Sequence, residues 1–198
     1  MLILDKEHCR PFDNTRTGLN LGEGAGYLVL QSEKTLTKEP YCELSGYANI
    51  NEAYHQTGSS PDGDGPFLSM TQAMEASGVN PKEISYVNVH GTGTPSNDAS
   101  ESKALQRIFG EQLPPFSSVK AFIGHTLGAS EGIEAVYSVL SIHHGMIYPN
   151  LNFATAIEET GLYPETTFRE GFPIRHVLSN SFGFGGNDSS LLFSSIKK

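Results

Sequence analysis

Short apolar runs alternate with glycine-rich breaks along this chain, and the pattern predicts a series of strands and helices. Residues 26–31, Gly-Tyr-Leu-Val-Leu-Gln, predict a buried strand, and 42–50 a second, weaker one. Pro66 suits the first turn of a helix with Phe67, Met70 and Met74 on one face, and Gly78 stops it. Residues 84–90 predict a short strand ending at His90. Asp98-Ala-Ser-Glu101 has capping-box spacing, with Asp in place of Ser or Thr, and opens a helix carrying Leu105, Ile108 and Phe109 that stops at Gly110. Pro114-Pro115 precedes a short strand near 117–121. A long helix follows over about 129–144; Ile133, Val136, Val139, Leu140 and Ile142 spread around its axis, which predicts burial on more than one side. Residues 148–175 show no period, and 176–181 and 189–195 read as two strands joined by a Phe/Gly turn.

From residue 42 the order is therefore β-α-β-α-β-α-β-β. Strand–helix alternation implies parallel crossovers, and the short last connection implies an antiparallel edge strand. Nothing in the sequence marks a repeat or a linker. At 198 residues the chain suits one sizeable domain or a large part of a bigger one. Thirteen Lys and Arg face 22 Asp and Glu, for a net charge of −9, and no basic cluster could track a phosphate backbone, so nucleic acid is excluded as an expected partner. Cys9 and Cys42 are the two cysteines, too few for a disulfide scaffold or a multi-thiolate metal site. The first residues are too briefly apolar for a secretory signal, and no run nears the ~18 residues of a membrane span, so a cytoplasmic α/β protein is expected.

His90 opens the loop His90-Gly91-Thr92-Gly93-Thr94-Pro95 at the end of a strand, where ligands gather in open α/β sheets. Its glycines admit a ligand close to the main chain and Thr92 and Thr94 can donate and accept; a structural His among turn glycines is the alternative. His125 sits just before the long helix, five residues after Lys120, which in an apolar stretch wants a carboxylate partner; Glu134 is the obvious one. A surface Lys and a core-edge His would give the same local sequence. Both histidines, however, fall at strand-to-helix junctions, which two crossovers of one sheet would bring together. A metal is not expected, because no His-Glu-x-x-His is present and His143-His144 point about 100° apart on a helix. Gly128-Ala129-Ser130-Glu131-Gly132 fits the nucleophile elbow of α/β-hydrolases, with Glu158, Glu159, Glu165, Glu170 and His176 downstream. Four residues separate that pentapeptide from the strand such an elbow must leave directly. No dinucleotide or P-loop glycine pattern occurs.

Taken together, Arg10-Pro11-Phe12-Asp13, Gly22-Glu23-Gly24-Ala25-Gly26, the His90 loop, Lys120, Gly124-His125-Thr126-Leu127-Gly128-Ala129 and Asn180-Ser181-Phe182-Gly183-Phe184-Gly185-Gly186 resemble the C-terminal half of a β-ketoacyl synthase of the thiolase-like superfamily. The resemblance implies a thiolase-like half with a mixed five-stranded sheet and helices on both faces. Residues 1–41 would be a remnant of the N-terminal half and 42–198 the C-terminal domain. It implies a decarboxylating Claisen condensation, in which malonyl-acyl carrier protein loses CO₂ and the carbanion attacks an acyl-Cys. His90 and His125 would bind the enolate oxygen, Lys120 would support them with Glu134 as its partner, and Asp98 would be a buried acid behind the loop. Thr92 and Thr94 would bind the pantetheine arm, and Phe182 and Phe184 would line the substrate, Phe184 as the gating aromatic. Acyl carrier protein is the implied partner, a homodimer or heterodimer the implied assembly, and no cofactor is implied beyond the carrier's phosphopantetheine. Glu131 and Asn187-Asp188 depart from the family pattern and bear on substrate range. Cys9 and Cys42 match no nucleophile position, so the chain alone is expected to be inactive in condensation. A non-catalytic, chain-length-determining partner of the same fold is the alternative from another class. A stand-alone carrier-binding module would need a basic patch that the sequence lacks.

Overall fold

The computed structural model describes residues 3–196. Five strands form one sheet: β1 (Glu43–Asn51), β2 (Tyr86–Asn88), β3 (Phe116–Ser117), β4 (His176–Gly183) and β5 (Asn187–Ser194). The helices between them are α1 (Asp64–Ser77), α2 (Pro95–Phe109), the single turn α3 (Lys120–Ile123) and α4 (Ser130–His144). The spatial order is β1-β5-β4-β2-β3. β2 runs parallel to β3 and β4, and β5 runs antiparallel to β4 and β1 on either side of it. The expected β-α-β-α-β-α-β-β order is present, but the antiparallel strand is internal. β1 takes the edge, because β5 offers it a second row of backbone groups along Glu43↔Ser194 to Asn51↔Asn187.

Side-chain alternation sends neighbours to opposite faces. Val87, Leu178 and Leu192 pack with Met70, Ala73 and Met74 of α1 and Ala104, Leu105 and Phe109 of α2. Tyr86, Val177 and Phe193 pack with Ala135, Val139 and Ile142 of α4. Each such apolar side chain, fully removed from water, contributes about 1.5–3 kcal/mol, so the sheet is held between two helical layers. Gly78 ends α1 at φ +70°, a conformation L side chains rarely take, and its N–H returns to Glu75 O.

Three local expectations are corrected. Residues 26–31 form no strand and are not buried: Tyr27 and Val29 are 88% and 89% exposed, because no described strand lies beside them to pair with. The strand near 117–121 is only Phe116–Ser117, and Lys120 to Ile123 turn into α3. α2 begins at Pro95 with Thr94 at its N-cap, three residues before the proposed capping box.

Candidate active site

That earlier helix start frees two carboxylates. Asp98 and Glu101 lie one turn apart on α2, and both reach back into the loop that precedes it. Asp98 accepts N–H bonds from Thr92 at 3.0 Å, from Gly93 at 3.2 Å and from Phe12 at 2.9 Å. Glu101 accepts from His90 N and Gly91 N, both at 2.9 Å, and from Asn180 Nδ2 at 3.1 Å. Both acids are fully buried, and burial raises both carboxyls against those donors, Glu101 to about 7. The loop is thus clamped by its own amides. Asp98 is where the resemblance placed it. Glu101 was legible only as a capping partner, and Asn180 only as part of a motif.

The second wall of the site comes from residues 120–134. His125 is fixed through its backbone to the N-terminal segment: its N–H donates to Asn20 O at 2.7 Å and its carbonyl accepts from Gly22 N at 3.1 Å. Gly22 is required there, since a Cβ on it would lie 1.9 Å from Ile123 O. The rings of His90 and His125 meet edge-on with centroids 5.3 Å apart, and His90 also lies 5.7 Å from the buried Phe182 ring. The two histidines expected to converge do so.

Lys120 is wholly buried beside His90. Its ammonium donates to Glu134 Oε1, to His90 O at 2.5 Å, and faces His90 Nδ1 at 3.3 Å. Glu134, the partner expected from sequence, also accepts from Ser130 Oγ at 3.2 Å. An ammonium has only hydrogens to offer, so Nδ1 of His90 must be the acceptor and the ring proton sits on Nε2. His125 reaches the same tautomer differently, since its Nδ1 accepts the Leu127 N–H at 3.1 Å. Neither Nε2 has a hydrogen-bond partner among the described residues, so each can donate to a guest. Burial, then the Lys120 charge, then His125 hold His90 well below the usual imidazole range; burial and then Lys120 bring His125 down to about 4. Both rings are neutral near pH 7. Two neutral N–H donors beside a buried ammonium can stabilise an oxyanion that forms during a reaction.

The remaining expected residues are placed as follows. Thr92 is buried and its hydroxyl pairs with that of Thr94 at 2.8 Å, with Thr94 half-buried beside it. Phe184 is 66% exposed in the turn between β4 and β5. Ser130 is no nucleophile elbow: it is 2% exposed, follows the short helical turn Leu127–Ala129 rather than a strand, and spends its hydroxyl on Glu134. Glu131 is half-buried, and burial raises its carboxyl. Cys9 is buried, with burial raising its thiol, and burial pushes Cys42 up to about 11, so neither is poised as a thiolate. Among the described residues no group of three or more His, Cys, Asp or Glu could hold a metal ion, and no helix is long and apolar enough to cross a membrane.

A mixed sheet between two helical layers, with the His90 ring just beyond parallel strand β2 meeting the His125 ring beside the buried Lys120, defines a thiolase-like half. Comparison with known proteins gives the family. Residues 41–154 match the family described as β-ketoacyl synthase, C-terminal domain. The chain is 42% identical over 200 residues to the mitochondrial 3-oxoacyl-[acyl-carrier-protein] synthase of Arabidopsis thaliana, covering 96% of this chain and 43% of that protein. It is 40% identical over 190 residues to 3-oxoacyl-[acyl-carrier-protein] synthase 2 of Staphylococcus aureus, covering 93% and 47%. Among solved structures, the ishigamide ketosynthase/chain length factor superposes with a TM-score of 0.91 at 34% identity, over 97% of this chain and 48% of that one. A type II PKS acyl-carrier protein in complex with its ketosynthase bound to the hexaketide gives 0.90 at 32%, over 96% and 48%. The chain belongs to the β-ketoacyl synthase family and carries its C-terminal domain. It spans about half the length of the curated relatives it matches.

Proposed function

We propose that the protein containing this chain condenses an acyl-enzyme with malonyl-acyl carrier protein by decarboxylation, and that this chain supplies the decarboxylating half of the site. The observation that carries the reading is the tautomer of the two imidazoles, fixed by Lys120 on one and by the Leu127 amide on the other. Loss of CO₂ leaves an enolate, and Nε2–H donors on His90 and His125 bind its oxygen as charge develops. Lys120 and Glu134 position His90, and Asp98 holds the loop. Thr92 and Thr94 take the pantetheine arm, while Phe182 and Phe184 face the acyl chain. The carbanion then attacks an acyl-Cys. That Cys is assigned to the part of the relatives' length that this chain does not span, since Cys9 and Cys42 are unsuited to the role.

On this reading residues 1–41 are the remnant of the N-terminal half: Phe12, Asn20 and Gly22 already bind this half, and the exposed apolar run at 27–30 is the surface that meets the other half. The complete protein works in the cytoplasm as a homodimer or heterodimer, without a cofactor beyond the carrier's pantetheine. The structural neighbour named as a ketosynthase/chain length factor keeps a partner-subunit reading in view. An intact His90, Lys120 and His125 favour the enzyme, because a non-catalytic partner has no need of all three.

The test is ¹⁴CO₂ release from malonyl-labelled carrier by the complete protein. Single His90→Ala and His125→Ala variants should each lose release by about 10²–10³-fold, the scale of removing one oxyanion donor. Undiminished release in both would sink the assignment. The chain alone should give no condensation product.

A further inference from the structure

The turn that carries Phe184 is fastened to the segment after β1. Gly185 N–H donates to Gln56 O at 2.8 Å, Glu52 N–H to Gly186 O at 2.9 Å, and Asn51 Nδ2 to Gly185 O at 2.8 Å. Asp188 follows two residues after Gly186, and in the sheet it lies opposite Phe182 of β4 and Ile50 of β1. It is 1% exposed, yet neither of its carboxyl oxygens takes a hydrogen bond from a described residue. A second acid stands beside it. A Cβ on Gly65, in the first turn of α1, would lie 1.9 Å from Asp188 Oδ2 and 2.7 Å from Glu52 Oε2, so both carboxyls crowd the space this glycine leaves open.

The surrounding donors decide which acid carries a proton. Glu101, packed against the same region from α2, has three N–H donors supporting its charge. Both Glu52 oxygens accept from Ser60 N at 3.1 Å. Asp64, at the start of α1, turns to Arg107 and to Ser60. Among the described residues no Lys, Arg or His pairs with Asp188, Glu52 or Glu101. An ionised carboxylate needs donors and a protonated one needs an acceptor; Asp188 alone lacks donors, and Glu52 is the acceptor beside it. Burial, then Glu52, then Glu101 push the Asp188 carboxyl up to about 7.

We propose that Asp188 and Glu52 form a proton-sharing acid pair that seats the Phe184 turn on the 51–56 segment, and that losing the proton loosens that turn. Ionisation of Asp188 sets two carboxylates against each other at the point where Glu52 also holds Gly186 through its backbone. The repulsion is relieved by moving the β4–β5 turn away. This pair is independent of whether the neighbouring site condenses thioesters, because its consequence is read in the turn itself.

Amide hydrogen exchange of Glu52 and Gly185 in the complete protein, corrected for intrinsic exchange, tests it. One-proton linkage allows at most tenfold per pH unit, so protection should fall about tenfold from about pH 6 to 8 in the wild type. In Asp188→Asn the amide donates to Glu52 without titrating, and protection should stay high and flat. An equal fall in Asp188→Asn, or a flat wild type, overturns the proposal. So does recovery of protection at the upper pH on adding potassium or calcium chloride, which would make the pair a cation site. Should Asp188→Asn fail to fold, the wild-type Asp188 carboxyl-carbon titration by NMR decides. A midpoint near 7 supports the pair, and one in the ordinary Asp range, about 3.9, refutes it.

Discussion

Replacing Lys120 with Met tests how the histidine loop is held. The Lys120 side chain is fully buried, and its ammonium joins Glu134, the His90 carbonyl and His90 Nδ1. Met keeps the bulk of the stem but offers no donor, leaving Glu134 a buried carboxylate with Ser130 Oγ as its remaining side-chain donor. Removing one partner of a buried ion pair costs about 3–5 kcal/mol, a large share of the ~5–15 kcal/mol that holds a typical domain together. Adding Glu134→Gln removes the stranded charge. The double variant should then lose only about 1–3 kcal/mol, the cost of leaving the His90 carbonyl and Nδ1 without the donor they share.

The loss should also depend on pH. Burial raises the Glu134 carboxyl even beside Lys120, and without the ammonium it rises further. An acid with a raised folded pKa binds its proton more tightly folded than unfolded, so stability grows as pH falls towards the ordinary Glu value of about 4.3. The gap between Lys120→Met and wild type should therefore narrow from about pH 7 to about pH 5, and by more than that of the double variant, where only the relief of His90 and His125 from the Lys120 charge contributes. Urea unfolding with linear extrapolation at both pH values measures all three proteins. A single-variant loss below about 1 kcal/mol, or one that neither pH nor Glu134→Gln changes, would refute the reasoning.

Two further outcomes follow from the same geometry. The His125 ring, followed by NMR, should titrate at about 4 rather than near the usual 6.5, and because the unfolded chain binds that proton first, stability should fall as pH drops between those values. A midpoint near 6.5 would contradict the neutral-donor assignment. Glu101→Ala should cost about 2–5 kcal/mol in urea unfolding, since it orphans the buried His90 and Gly91 amides, and Glu101→Gln should cost clearly less because one oxygen still accepts. Equal losses would show that the carboxylate is not a backbone clamp.

Much of this was legible in the sequence because it rests on local rules. The apolar face of α1, its stop at Gly78 and the position of His90 at the end of a strand follow from periodicity and turn chemistry, and the Lys120–Glu134 pair follows from the cost of burying a lone cation; His125 meets His90 as expected, but from between two helical turns rather than from a strand end. What stayed hidden depends on partners distant in sequence. The 26–31 run has strand composition, but composition does not name a neighbour, and none of the described strands takes that place. Asp98 and Glu101 were read as a capping box because the spacing that caps a helix also sets two carboxylates on one helical face. Pro95, preformed for a first helical turn and needing no donor there, moves the helix start forward, and both acids then serve the loop instead. Asp188 stood out in sequence as a departure, but its burial beside Glu52 is set by the β1–β5–β4 register.

The choice of charge beside His90 explains why the site needs so many acids at a distance from its rings. A carboxylate on Nδ1 would favour the imidazolium and raise the ring's pKa; an ammonium there does the opposite and leaves the Nε2 proton on a neutral ring. The cation then has to be neutralised where it does not touch the imidazole, and Glu134 does so from α4. The loop likewise has to be fixed without placing a negative group on a ring nitrogen. Asp98 and Glu101 meet that condition by binding the amides of residues 90–93 rather than either imidazole. The two histidines are thereby rigid and neutral at once, which a site that stabilises a developing anion through hydrogen bonds requires.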